Sequence, residues 1–140
     1  MWLLYAFLSA LTAALVAILA KLGLKGIDPT VATTIRGVIM GVFLLLVTLT
    51  IGKFDGFSFK NIESKDWLLI VLSAVAGALS WLFYFWALKL GQASKVVVID
   101  RLSLVFVIVL AALFLGEGIT WRSTVGALFM VGGAILVTLK

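Results

Sequence analysis

The stretch Trp67–Leu88, WLLIVLSAVAGALSWLFYFWAL, decides the fold: twenty-two residues with no charge, no proline and no alternation of apolar with polar side chains. As a helix at 1.5 Å per residue it is about 33 Å long, enough to cross a hydrocarbon core of about 30 Å. Spanning strands are only ~10 residues long and alternate in polarity, so a barrel is excluded. Four further stretches share this character, Trp2–Ala20, Val31–Ile51, Val96–Leu115 and Ser123–Leu139, and the five run 17 to 22 residues each. No basic segment precedes Trp2–Ala20, which therefore reads as a first span and not as a secretory leader.

Composition agrees. The chain is 64% hydrophobic with a mean hydropathy of +1.30, against roughly 45–50% apolar residues in soluble proteins. The fold expected is an all-α integral membrane protein, one domain over residues 1–140 with five transmembrane helices near 2–22, 30–52, 66–89, 95–115 and 121–139. Its setting is the bilayer of the cell (plasma or inner) membrane, and its short connections leave no room for a soluble catalytic domain. The net charge of +5 is spread beside the spans, where it meets headgroups. Nucleic acid, which needs a clustered basic stripe, is excluded as a partner. There is no cysteine and no histidine, which removes disulfides, thiolate chemistry, haem and the usual zinc sites. No metal or other cofactor is expected, and no enzyme, since no nucleophile stands beside a base.

Helix punctuation supports these boundaries. Asp28-Pro29-Thr30 offers a capping side chain and a proline at the first helical position, where its missing N–H costs nothing. Ser64 or Asp66, Ser94 and Thr120 are placed to cap the third, fourth and fifth spans. The longest connection, Gly52 to Asp66, alternates Phe54, Phe57 and Phe59 with Asp55, Gly56, Ser58 and Lys60, the pattern of a segment resting on the interface.

An odd number of spans puts the termini on opposite faces. The N-terminal face receives Lys53, Lys60, Lys65 and Arg122, and the other receives Lys21, Lys25, Lys89, Lys95 and Lys140. Four against five leaves the positive-inside signal weak. Adding Arg36 and Arg101, which lie inside spans nearer the second face, makes it four against seven and favours one fixed orientation with a cytoplasmic C-terminus.

Those two arginines and Asp100 are the costly residues. Arg36 lies six residues beyond Thr30, and Asp100 and Arg101 lie five and six beyond Lys95, depths of ~9, ~7.5 and ~9 Å. A charge at the bilayer centre costs roughly 2.5–3.5 kcal/mol on insertion scales, so each must be paired or line water. An Arg36–Asp100 or Arg36–Asp100–Arg101 cluster meets that need, either as part of a solute or proton pathway or as a fixed ion pair locking span two to span four. Adjacent helical residues point ~100° apart, and Arg101 has the longer stem for reaching the headgroups.

Trp81, Tyr84 and Phe85 share a helical face at i, i+3 and i+4, a surface suited to a pocket for an apolar or cationic solute or to an interfacial belt. Trp86, just before Lys89, reads as belt, and Trp2, Tyr5, Trp67 and Trp121 as anchors. Small residues mark helix contacts: Ala6, Ala10 and Ala14, Gly37 and Gly41, Ala74 and Ala78, and Gly126, Gly132 and Gly133. In lipid, close backbone packing is the glue. The last set, on the most featureless span, is the candidate dimer contact.

Ala87-Leu-Lys-Leu-Gly91-Gln-Ala-Ser94-Lys-Val, Ile99-Asp100-Arg101-Leu-Ser103, Phe114-Leu-Gly-Glu117, and the glycines at 126, 132 and 133 together resemble the EamA domain of the drug/metabolite transporter superfamily over nearly the whole chain. Pro29 and Arg36 fit its early pattern. Most relatives carry two such five-helix units in tandem, the second inverted. The resemblance implies that this single unit is one half-transporter, completed as an antiparallel, dual-topology homodimer that carries a small-molecule solute by alternating access. It further implies that spans one to four line a cavity, with Asp100, Arg36, Arg101, Trp81, Tyr84 and Ser103 as its candidate residues, that Gly126, Gly132 and Gly133 serve assembly, and that Glu117 structures a turn. Related small multidrug resistance proteins use a glutamate in their first helix, and this span one has no acid. Asp100 is the one acid inside a span, and the two arginines tilt the expected solute toward zwitterions or anions. The alternatives are a non-transporting scaffold or accessory subunit and one half of a hetero-oligomeric transporter.

Overall fold

The chain is seen in a computed structural model that describes residues 1–55, 57–58 and 62–139. Every regular element among them is a helix. Five helices have the length and composition to cross a bilayer: Trp2–Gly23 (α1), Pro29–Thr50 (α2), Ser64–Leu90 (α3), Ala93–Leu115 and Trp121–Thr138. The fourth is divided into Ala93–Asp100 (α4), Ser103–Leu110 (α5) and a π-helical turn Ala111–Leu115, so Trp121–Thr138 is α6. Gly56 and Phe59 of the aromatic loop, and Lys60 and Lys140 of the charge count, lie outside the described residues.

Two of the expected caps form. Asp28 Oδ1 accepts from the backbone N–H groups of Thr30 at 2.8 Å and Val31 at 3.3 Å, with Pro29 opening α2. Thr120 and Ser123 exchange bonds in a capping box at the start of α6. The other two differ. Gln92, not Ser94, is the cap residue of α4 and contributes no side-chain bond. The α3 ladder begins with Trp67 N–H donating to the Glu63 carbonyl at 3.1 Å, so Ser64 and Asp66 lie within the first turn, where Asp66 faces the positive end of the helix dipole.

Two glycines end helices in the left-handed region that side chains avoid. Gly52 has φ +64° after α2 and Gly116 has φ +68° after the π-helical turn. The Ala111 carbonyl accepts from Gly116 and from Glu117 at 3.3 Å, so Leu115-Gly116-Glu117 is a helix-terminating device. Beyond Gly52, the Phe54 and Phe57 rings meet edge to face at 6.3 Å.

The chain forms two compact units, Met1–Lys21 with Leu90–Lys140, and Leu22–Lys89. In the first, α6 packs along α4 and α5, Lys95 Nζ donates to the Thr138 carbonyl at 3.2 Å and Lys21 Nζ to that of Gly91 at 2.6 Å. In the second, Lys89 Nζ donates to the carbonyls of Leu24 at 2.7 Å and Ile27 at 3.1 Å. Ammonium groups thus serve carbonyls left free at and beyond helix C-termini. Among the described residues the buried apolar side chains are few, Ala17 and Ala134 in the first unit and Leu24, Pro29, Phe85 and Leu88 in the second. Lipid, as apolar as leucine, removes the penalty that water would impose on the rest.

Candidate solute site

In the second unit, Arg36 of α2 meets the aromatic face of α3. Its guanidinium carbon lies 3.6 Å from the centre of the Trp81 ring and 5.6 Å from that of Phe85. The three rings brace one another edge to face: Trp81–Tyr84 at 5.7 Å, Trp81–Phe85 at 5.9 Å and Tyr84–Phe85 at 6.3 Å. Helical geometry produces the cluster, because positions i, i+3 and i+4 share one face. The same geometry turns Phe83 outward, 69% exposed, while Phe85 is 3% exposed. Trp81, Tyr84 and Arg36 are half-buried and Trp86 is exposed.

Among the described residues of this unit, no carboxylate or hydrogen-bond acceptor holds Arg36. A partly desolvated cation–π contact is worth about 1–2 kcal/mol, which falls short of the roughly 2.5–3.5 kcal/mol insertion cost at the bilayer centre. The guanidinium keeps hydrogen-bonding capacity for water or a solute.

In the first unit, Asp100, Arg101 and Ser103 flank the break in span four. Arg101 N–H still donates to Val97, four residues back, at 3.1 Å, whereas Leu102 donates to Ile99 at 2.9 Å, Leu104 to Arg101 at 3.1 Å and Val105 to Leu102 at 2.9 Å. These are i−3 bonds, and through them the carbonyls of Val98 and Asp100 lose their usual i+4 donors. Four β-branched residues, Val96 to Ile99, followed by an aspartate are poor at sustaining helix. Irregular backbone at membrane depth is tolerated only inside protein or beside water. Asp100 is half-buried and Arg101 and Ser103 are exposed. Within their own unit none of the three side chains has a hydrogen-bond or ion-pair partner among the described residues.

The structure therefore gathers Arg36, Trp81 and Tyr84, with Phe85 as a fourth member, in one unit, and Asp100, Arg101 and Ser103 at one break in the other. Within the second unit the seat of Arg36 is the Trp81 ring, a partner that a search among acidic residues does not suggest. Depth was the available signal: Arg36 is seven residues past Pro29 and Trp81 eight before Lys89, ~10.5 and ~12 Å from the same face. On α6, Val125, Leu128, Phe129, Gly132, Gly133 and Leu136 line an apolar groove of about 580 Å³. Gly126 is not among them. A Cβ at any of the three glycines would meet nothing within 4 Å.

Five helices long and apolar enough to span a bilayer, with charged residues inside them, define a multi-pass membrane protein. The EamA-like transporter family model matches residues 1–139, and the chain belongs to that family. It is 39% identical over 136 residues, 97% of this chain and 95% of the relative, to a protein of Sinorhizobium sp. named "Uncharacterized transporter in cobO 3'region". No solved structure matches.

Proposed function

We propose that this membrane transporter is a secondary carrier of small solutes that works by alternating access as an antiparallel, dual-topology homodimer in the cell membrane. The observation that supports the reading is parity: the chain matches one EamA-type unit of five spans, and with an odd number of spans a second copy lying the other way supplies an inverted half. Arg36 with the Trp81 face and the break at Asp100 are the residues assigned to the solute pathway. A discontinuous span beside a charged residue is a recurrent way to build such a pathway at mid-membrane. The open glycine face of α6 is assigned to the contact between copies.

A reporter fused at the C-terminus tests the assembly. Signal from both membrane faces is expected, and signal from one face alone would replace the homodimer with a separate inverted partner. Solute flux in proteoliposomes that falls when Arg36 or Asp100 is neutralised tests the transport.

A further inference from the structure

Resting on the carrier reading, we propose that Arg36 and the Trp81–Tyr84–Phe85 face form a seat for the carboxylate of a monoanionic solute. An aromatic face in a membrane pocket would ordinarily suit a cation. Here the position over the Trp81 ring is already taken by the chain's own guanidinium, 3.6 Å from the ring centre. A cationic solute would meet an occupied ring and a like charge.

The geometry favours an oxyanion on a second ground. At 3.6 Å the guanidinium is in stacking contact, since a group pointing an N–H into the ring would hold its carbon farther away. Its N–H groups are directed along its own edge, where they match the two oxygens of a carboxylate as a bidentate pair. No hydrogen bond or ion pair to a described residue of the second unit engages the guanidinium.

Charge and shape narrow the class further. One guanidinium is neutralised by one carboxylate, whereas a phosphate dianion would leave an excess negative charge at membrane depth. The accessible aromatic surface beside the guanidinium is that of the half-buried Trp81 and Tyr84 rings, with buried Phe85 bracing them from behind, and it suits an apolar body attached to that carboxylate.

The test uses the full chain in phosphatidylcholine nanodiscs and the binding of radiolabelled benzoate, with benzylamine as its cationic counterpart. Saturable benzoate binding that benzylamine does not displace is expected. Arg36→Gln should weaken it at least tenfold, and Arg36→Lys, which keeps the charge without the fork, should recover part of the loss. Trp81→Leu, which leaves the charge count unchanged, should weaken binding as well and provides the reading if Arg36→Gln does not fold. Displacement by benzylamine, or undiminished binding in Arg36→Gln, would overturn the proposal. Discs containing phosphatidylglycerol separate solute from headgroup: retained benzoate binding supports a solute seat, and its loss makes Arg36 a headgroup anchor and overturns the seat. Binding without proteoliposome flux would uphold the seat while counting against the carrier, and flux of other solutes without benzoate binding would do the reverse.

Discussion

The guanidinium carbon of Arg36 sits 3.6 Å from the centre of the Trp81 ring, so a charge on one span rests on an aromatic surface of the next. The contact is expected to contribute about 1–2 kcal/mol to the folded state. Trp81→Leu should lower stability by that amount, whereas Trp86→Leu, at a ring 42% exposed, should cost little. A double-mutant cycle of Trp81→Leu with Arg36→Met, followed by unfolding in micelles, isolates the pair. Additive losses would mean that the stacking carries no coupling energy.

Two helix-ending glycines should respond differently to alanine. At Gly116, φ +68° is the obstacle and no atom lies within 4 Å of an added Cβ, so Gly116→Ala should cost about 1–2 kcal/mol from backbone strain alone. At Gly52, φ +64° is joined by Asp55 Oδ2 only 2.9 Å from the added Cβ. Gly52→Ala should therefore cost more, and the double variant Gly52→Ala with Asp55→Ala should fall back to the strain cost. Midpoint temperatures of the purified protein give the comparison.

Lys89 closes the turn between α1 and α2 through the carbonyls of Leu24 and Ile27. Charge-assisted bonds of this kind contribute roughly 1.5–3 kcal/mol when well sheltered, and the side chain's exposure reduces that here. Lys89→Met, which keeps the stem, is expected to destabilise by about 1 kcal/mol and to speed hydrogen exchange in residues 24–28. Arginine at the same position should restore protection. Unchanged exchange in Lys89→Met would show that the carbonyls are held by other means.

Much of this was legible in the chain. Span number and length followed from apolar run length, because a bilayer leaves the backbone little choice but helix, and the Asp28-Pro29 and Thr120 caps followed from side-chain chemistry at fixed offsets. Ser94 misled because a short hydroxyl near a helix start is a cap only if the backbone turns there, and the chain enters α4 two residues sooner. The division of span four was hidden because it contains neither glycine nor proline. Its cause is cumulative, four β-branched residues and then an aspartate, and no single residue signals it. Arg36 is legible as costly from its charge alone. A ring quadrupole also stabilises a cation, and the similar depths of Arg36 and Trp81 are the signal in the sequence that points to it.

The α6 groove yields the last prediction. Leu128, Phe129 and Leu136 stand exposed around Gly132 and Gly133, and the open space over both glycines means that the isolated chain does not require them to be small. A larger side chain should therefore leave the helix intact while preventing another helix from approaching closely. Gly132→Leu and Gly133→Leu are expected to preserve the midpoint temperature within about 0.5 kcal/mol equivalent, as for substitutions away from packed features. Each should abolish cross-linking between copies through a cysteine placed at Phe129. Gly126, outside the groove, should tolerate leucine with cross-linking retained. If all three variants cross-link as the parent does, α6 faces lipid and the copies meet elsewhere. If Gly126→Leu alone disrupts assembly, the contact lies two turns nearer the start of α6, on the face that Gly126 shares with Gly133.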